Sequence, residues 1–183
     1  MRKRILQPIK LVCIIFILLL VASFSHAAVI RTFPLNPIQQ LGDVFTISVI
    51  GAGFPSTVGG DVQVDFDSSI LKALGVTMTF PGDTNGSTIG ADFVSLSAGD
   101  FSAPNPDGNF GIADIEFQAI GLGLSALTLS ITSDWLDPNF SALDPQPSLV
   151  TSSVRVNVVP IPSAIFLLGG GLIGLIGLRR RRS

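Results

Sequence analysis

Apolar and polar residues alternate one by one in five separate segments between Ala28 and Val159. A β-strand places successive side chains on opposite faces, so a period of two gives each segment one apolar and one polar face. The apolar positions of the five segments are Phe45, Ile47 and Val49; Val62, Val64 and Phe66; Ile115, Phe117 and Ala119; Leu127, Leu129 and Ile131; and Val154, Val156 and Val158. The alternation predicts strands that bury one face in a shared core.

The stretches between these segments favour turns. Gly, Pro, Asn, Asp and Ser make up most of residues 51–60, 81–90, 104–109 and 137–147. Only Ser68–Leu74 has the character of a helical turn. Alternating strands separated by turns predict an all-β fold, an antiparallel two-sheet sandwich with Phe and aliphatic residues in its core.

Charge is distributed unevenly along the chain. Of the 11 Lys and Arg residues only Arg31, Lys72 and Arg155 lie between Ala28 and Val159, together with all 13 Asp and Glu residues. This segment therefore carries 3 − 13 = −10 formal charges, whereas the whole chain carries −2. An acidic surface repels phosphate backbones, so we expect no nucleic-acid partner.

Cysteine and histidine are almost absent. Cys13 and His26 are the only residues of their kinds, and both precede the alternating segments. A domain without them has no disulfide, Ser-His-Asp triad, Cys-His pair or common zinc site. We therefore predict a domain that is not an enzyme and needs no cofactor.

The N-terminus has the three parts of a secretory signal peptide. A basic start at Arg2-Lys3-Arg4 precedes an apolar run from Leu11 to Phe24, and Ser25-His26-Ala27 follows. We predict a signal peptide over residues 1–27, with cleavage between Ala27 and Ala28. The alternative is an uncleaved anchor, but the apolar run is short for a ~30 Å span.

The C-terminus also has three parts: Val159-Pro160-Ile161-Pro162-Ser163, an apolar Gly-rich segment at 164–178, and Arg179-Arg180-Arg181-Arg182. The prolines stop a helix from beginning earlier, and the arginines hold the tail in the cytoplasm. This order resembles the PEP-CTERM sorting signal of Gram-negative bacteria, although that family usually has Glu where this chain has Ile161. The alternative is an ordinary single-pass anchor.

The PEP-CTERM resemblance implies that an exosortase cuts near the Pro-x-Pro motif. We therefore expect a transmembrane helix at 164–178 that anchors the chain in the inner membrane before processing. The protein would afterwards lie at the cell surface or outside the cell. The arginine cluster would act as the membrane stop.

Four segments resemble successive strands of cohesin-like modules. They are Leu41–Ile47, Val64–Leu71, Gly111–Phe117 and Gly123–Leu129, and the second reads as a strand, an Asp, a small turn and a buried Leu71. The resemblance spans about Phe33 to Val158 and implies a nine-stranded jelly-roll sandwich, related in architecture to some carbohydrate-binding modules. We assign residues 28–158 to this cohesin-like domain and 159–183 to the sorting signal.

Few residues of the domain are candidates for catalysis or metal binding. Asp65 and Asp67 share a strand face and could act as the carboxylate pair of a glycoside-active enzyme, although the polar strand face and a turn cap explain them better. Two loops offer oxygen ligands for calcium at two-residue spacing: one has Asp83 and Asn85, near Asp92, and the other has Asn105, Asp107 and Asn109. Neither loop has the complete calcium-binding signature, so we predict no metal site. Trp135 reads as a loop anchor packed on a sheet edge.

Together these features predict an exported, non-catalytic surface or extracellular-matrix protein. Its sandwich would bind a polysaccharide or a surface protein, and an exosortase-type enzyme would be its processing partner. Two alternatives remain open: a carboxylate-based glycoside-active enzyme, and a purely structural matrix component.

Overall fold

The structure is a computed structural model that describes residues 28–158. Within that range the chain forms eleven strands: β1 (Val29–Phe33), β2 (Ile38–Gln40), β3 (Val44–Phe54), β4 (Gly59–Asp65), β5 (Leu71–Met78), β6 (Gly86–Ile89), β7 (Phe93–Gly99), β8 (Gly108–Ala119), β9 (Gly123–Leu136), β10 (Ser148–Val150) and β11 (Ser152–Asn157). The predicted signal peptide, the motif at 159–163, the helix at 164–178 and the Arg tail lie outside the described residues. No helix within 28–158 is long and apolar enough to cross a membrane.

The strands form two sheets. The order is β10-β1-β3-β8-β5 in the five-stranded sheet and β2-β11-β9-β4-β7-β6 in the six-stranded sheet. The all-β two-sheet sandwich is confirmed, with antiparallel pairing through the middle of both sheets. The prediction of wholly antiparallel sheets is wrong, because β1 pairs in parallel with β10 and β2 in parallel with β11.

The two ends of the described chain cause these parallel pairs. The first segment leaves the five-stranded sheet after β1, near Pro34, which has no N–H for the ladder, and enters the six-stranded sheet as β2. The last segment runs beside the first in the same direction and also passes from the five-stranded sheet, as β10, to the six-stranded sheet, as β11. Each of the two segments therefore contributes one short strand to each sheet. The Ser153 N–H donates to the Leu35 carbonyl at 3.3 Å, and the buried hydroxyls of Thr32 and Ser152 bond to each other. Residues 28–158 therefore form eleven strands, whereas the resemblance implied nine.

Inward side chains of both sheets fill the core. Most of the alternating positions are buried as predicted, including Ile47, Val49, Val62, Val64, Ile115, Phe117, Leu127, Val154 and Val156. Phe45 and Ile131 are half-buried, and Val158 is 63% exposed. At one end the core becomes aromatic: the Trp135 ring lies 5.0 Å from Phe54, 6.0 Å from Phe110 and 6.1 Å from Phe80 between ring centroids. This cluster closes the sandwich at that end.

The loops that follow β3, β7 and β9 meet over the aromatic cluster, and we call this region the loop end. Thr57 and Asn105 form a bridge, and the Val58 N–H donates to the Leu136 carbonyl at 3.1 Å. The Asp100 N–H donates to the Val58 carbonyl at 2.8 Å. These bonds tie the three loops together at their bases.

Several predicted turn regions contain strand. Strand β3 continues to Phe54, and β6 lies inside the turn-rich stretch 81–90. The helical turn predicted over Ser68–Leu74 is wrong beyond Ile70, because Leu71 begins β5 opposite Ala119 of β8. Edge pairing with β8 overrides the local preference of this segment.

Candidate functional site

The outer surface of the six-stranded sheet carries a grid of mostly polar side chains. Strands β7, β4 and β9 pair side by side, with two register shifts between β4 and β9 around Asp61, and their outward residues form three rows of three. The rows are Ser97, Asp61 and Ser133; Ser95, Gln63 and Ser130; and Phe93, Asp65 and Thr128. We call these nine residues the hydroxyl face.

Hydrogen bonds within the hydroxyl face fix its acidic side chains. The Gln63 Nε2 donates to Asp65 Oδ1 at 2.6 Å, and the Ser97 hydroxyl donates to Asp61 Oδ1 at 2.7 Å. Neither Lys, Arg nor Glu occurs among the nine residues, so few rotatable bonds would be immobilised when a partner binds. The face is therefore largely preorganised.

The outer surface of the five-stranded sheet differs. It carries longer charged side chains, such as Arg31, Lys72 and Glu116, and β5 has a bulge between Ala73 and Gly75. A depression of about 430 Å³ lies over Gly75, beside Glu116 and Asp114. Ordering long side chains costs more free energy than ordering short ones, so this face is the weaker candidate for binding.

Asp65 and Asp67 do not form the carboxylate pair considered from the sequence. Strand β4 ends at Asp65, and Asp67 lies in the exposed turn that follows. Asp67 Oδ1 accepts bonds from the Ser69 hydroxyl at 2.6 Å and the Ser69 N–H at 2.8 Å, and these bonds, the hydroxyl first, hold the pKa of Asp67 below its ordinary value. A glycosidase acid needs a raised pKa, so Asp67 is suited to capping a turn.

The calcium candidates are used by the backbone or lie apart. The Asn85 side chain accepts from the Gly99 N–H at 3.1 Å and donates to the Phe80 carbonyl at 2.7 Å, and Asn109 Oδ1 accepts from the Gly53 N–H at 2.9 Å. Asn105 is buried, whereas Asp83 and Asp107 are exposed. Across residues 28–158, no three His, Cys, Asp or Glu side chains converge as a metal site would require.

Trp135 is core rather than a residue on a sheet edge, which corrects the sequence interpretation. Its side chain is fully buried, and a Cβ added to Gly60 would lie 2.6 Å from its Cγ, so a glycine lets β4 approach the ring. The loop after β9 is bonded to the backbone of residue 135 and not to the indole. The backbone of Trp135 accepts from the Leu143 N–H at 2.8 Å and donates to Gln146 Oε1 at 3.0 Å.

Sequence reasoning missed two exposed aromatic residues, Phe101 and Phe140. They lie on the loops after β7 and β9 and stack on each other at the loop end. Neither belongs to an alternating segment, and they lie 39 positions apart along the chain (140 − 101). The only available signal was a large apolar residue among turn formers in each loop.

Comparison with known proteins identifies the fold. No protein-family model and no curated protein matches the chain. A non-cellulosomal cohesin from Archaeoglobus fulgidus superimposes with a TM-score of 0.60 at 10% identity, covering 72% of this chain and 91% of that chain. The Coh-OlpA cohesin from Clostridium thermocellum, in a cohesin–dockerin complex, gives 0.58 at 16% identity, covering 72% and 100%.

The sixth cohesin of scaffoldin B from Acetivibrio cellulolyticus, solved in complex with a dockerin, gives a TM-score of 0.60 at 12% identity, covering 72% of this chain and 99% of that chain. Almost the whole length of each of these cohesins is matched by the described sandwich. Residues 28–158 therefore have a cohesin-like fold, as the sequence phrases predicted.

Proposed function

We propose that this chain is an exported, non-catalytic surface protein whose sandwich binds a protein partner through the hydroxyl face. The supporting observation is a three-by-three grid of eight polar side chains and Phe93 on a fold that the Clostridium thermocellum and Acetivibrio cellulolyticus cohesins use in complexes with dockerins. A binding role needs neither a raised carboxyl pKa nor a metal. It needs a broad preorganised surface.

The six-stranded sheet is wide enough for such an interface. Six strands ~4.8 Å apart span ~24 Å, close to the side of a ~28 Å square, which corresponds to the ~800 Å² that one partner buries in a standard interface. A protein that covers the hydroxyl face would therefore bury an area typical of stable complexes.

Apolar anchors border the hydroxyl face at its β11 edge. On β11, Arg155 pairs with Ile38 of β2 on one side and with Leu124 of β9 on the other. The side chains of Ile38 and Leu124 are 68% and 54% exposed. Arginine and large apolar residues supply much of the binding free energy in protein interfaces. The polar grid would set the register of a partner, and this edge would strengthen its binding.

The first prediction concerns the hydroxyl face itself. Replacing Ser95, at the edge of its central row, with arginine should weaken capture of the protein partner at least about tenfold, because a long charged side chain would hold the surfaces apart. The measurement is quantitative pull-down from the secreted proteins of the native cell, and purified dockerins are the first defined probe.

The matched control is Thr46→Arg, which places the same side chain on the exposed outer surface of the five-stranded sheet. A protein retained by the wild type and Thr46→Arg, but lost with Ser95→Arg, would support the proposal. Equal retention by all three would contradict binding through the hydroxyl face. A chain that retains no protein would favour the purely structural role.

The second prediction concerns export and processing. We propose that a signal peptidase cuts between Ala27 and Ala28, and that an exosortase-type enzyme removes the tail near Pro160-Ile161-Pro162. Mass spectrometry of the protein from native cells should then find Ala28 at the N-terminus and no peptide containing Arg179–Arg182.

A Pro160→Ala, Pro162→Ala double variant should keep its arginine tail and remain in the inner membrane, because the motif would no longer be extended. An intact tail in the wild-type cell would leave only the ordinary single-pass anchor.

A further inference from the structure

A small pocket opens at the loop end, where the hydroxyl face meets the loops. Its volume is about 210 Å³, and its wall is polar on the side of Asp61, Asp134, Thr84, Ser97 and Ser133. Sites that enclose a whole small ligand usually measure ~300–1,000 Å³. This pocket is smaller, so it could take only part of a ligand, such as one ring of a longer chain. Glycines 59, 60 and 99 form part of its floor.

An exposed aromatic pair stands at the rim of the pocket. Phe101 lines the pocket, and Phe140 stacks on Phe101 with ring centroids 5.9 Å apart and an interplanar angle of 29°. The two residues are 58% and 56% exposed. Two large aromatic side chains that lie together in solvent form an apolar platform beside a polar pocket.

Each phenylalanine follows an aspartate that caps its own turn. Asp100 Oδ1 accepts from the Ala103 N–H at 2.9 Å and the Ser102 hydroxyl at 2.8 Å, and these bonds, the Ala103 amide first, lower the pKa of Asp100. The N–H of Asp100 donates to the carbonyl of Val58, the residue that precedes strand β4. The Phe101 turn is therefore fixed to the sandwich rather than free.

The second turn is built in the same way. Asp137 Oδ1 accepts from the Ser141 N–H at 2.9 Å and the Asn139 N–H at 2.8 Å, and the Ser141 amide is the main cause of the lowered pKa of Asp137. Phe140 has a φ of 60°, the left-handed region that costs a non-glycine residue free energy. The turn therefore holds a bulky apolar side chain outward in an unfavourable conformation.

We propose that the loop-end pocket binds an uncharged sugar ring of a polysaccharide, with Phe101 and Phe140 as the stacking platform. A pyranose has an apolar C–H face, which packs on aromatic rings, and hydroxyl groups, which both donate and accept hydrogen bonds. The carboxylates of Asp61 and Asp134 accept such bonds, and the hydroxyls of Thr84 and Ser133 can donate or accept. The Ser97 hydroxyl donates to Asp61 and can still accept. The pocket therefore offers an apolar surface for the C–H face of a sugar ring and polar groups for its hydroxyls.

The residues of the pocket wall favour an uncharged sugar over charged ligands. The wall contains no Lys or Arg, so the two carboxylates would repel a uronic-acid polymer. A basic peptide could pair with the carboxylates, but a guanidinium or ammonium group only donates hydrogen bonds and would leave the donor capacity of the Thr84 and Ser133 hydroxyls unused. The mixture of acceptors and hydroxyls favours a sugar.

The third prediction tests this site with the full-length chain in detergent micelles. The probe is an array of neutral hexose, N-acetylhexosamine and uronic-acid oligosaccharides together with an oligolysine peptide. Phe101→Ala and Phe140→Gly should each weaken retention on the uncharged sugars about tenfold, because the first removes the ring that lines the pocket and the second removes the ring that stacks on it. Glycine suits the left-handed backbone at 140, so loss of binding there is not caused by unfolding.

Phe33→Ala is the matched control, since Phe33 is 62% exposed on strand β1 and does not line the pocket. Binding to uncharged sugars that both platform variants lose and the control keeps would support the site. No retention on any uncharged sugar, retention equal in all four proteins, or retention of the oligolysine peptide alone would overturn it. Neither platform variant alters the hydroxyl face, so this outcome is separate from the test of protein binding.

Discussion

Replacing Trp135 with alanine should lower the free energy of unfolding of residues 28–158 by about 3–5 kcal/mol, the range for truncating a large buried aromatic side chain. The ring is fully buried and contacts Phe54, Phe80 and Phe110, so all three would border the resulting cavity. Because folded domains are stable by only ~5–15 kcal/mol, this single change removes a large share of the total. Urea titration followed by the β-sheet circular dichroism signal measures it.

Trp135→Phe is the control that separates ring packing from the indole N–H. Trp135 Nε1 is buried without a hydrogen-bond partner among the described residues, and an unpaired buried donor costs about 1–3 kcal/mol. Phenylalanine leaves a smaller cavity and removes this penalty, so its cost should be only about 1–2 kcal/mol. An alanine variant within about 1 kcal/mol of the wild type would contradict the central role of the ring.

The central strands could be predicted because each is buried on one face over most of its length. The alternation at Phe45–Val49, Val62–Phe66 and Leu127–Ile131 reports that burial directly. The edge strands could not be predicted in this way. Strand β6 is exposed at all four positions, and β2 and β10 have three residues each, so they have no buried period to detect.

The candidate sites depend on relations that a single sequence does not contain. Each row of the hydroxyl face is defined by register between strands, and two shifts in the pairing of β4 with β9 decide that Ser133 lies opposite Asp61. The loop-end platform joins Phe101 and Phe140 through two separate turns. Sequence reasoning could identify the polar positions of β4 and the turn-capping aspartate at 67, but not which residues would meet them.

The last prediction uses two glycines that have the same backbone conformation in different surroundings. Gly59 and Gly108 have φ angles of +129° and +128°, a region in which L residues are strained. A Cβ added to Gly59 would overlap the Ala98 carbonyl oxygen and lie 2.7 Å from the Gly99 Cα, whereas a Cβ added to Gly108 would meet nothing within 4 Å. The pair therefore separates backbone strain from steric overlap.

Gly108→Ala should lower the free energy of unfolding by about 1–3 kcal/mol, the cost of an alanine held in this conformation. Gly59→Ala should cost at least about 2 kcal/mol more, because β4 is paired on both sides and neither β7 nor β9 can move away without breaking its ladder. Urea titration of both variants beside the wild type gives the two values. Equal costs would show that the backbones of β4 and β7 separate easily at Gly59, and the close approach that shapes the pocket floor would then not be required for the fold.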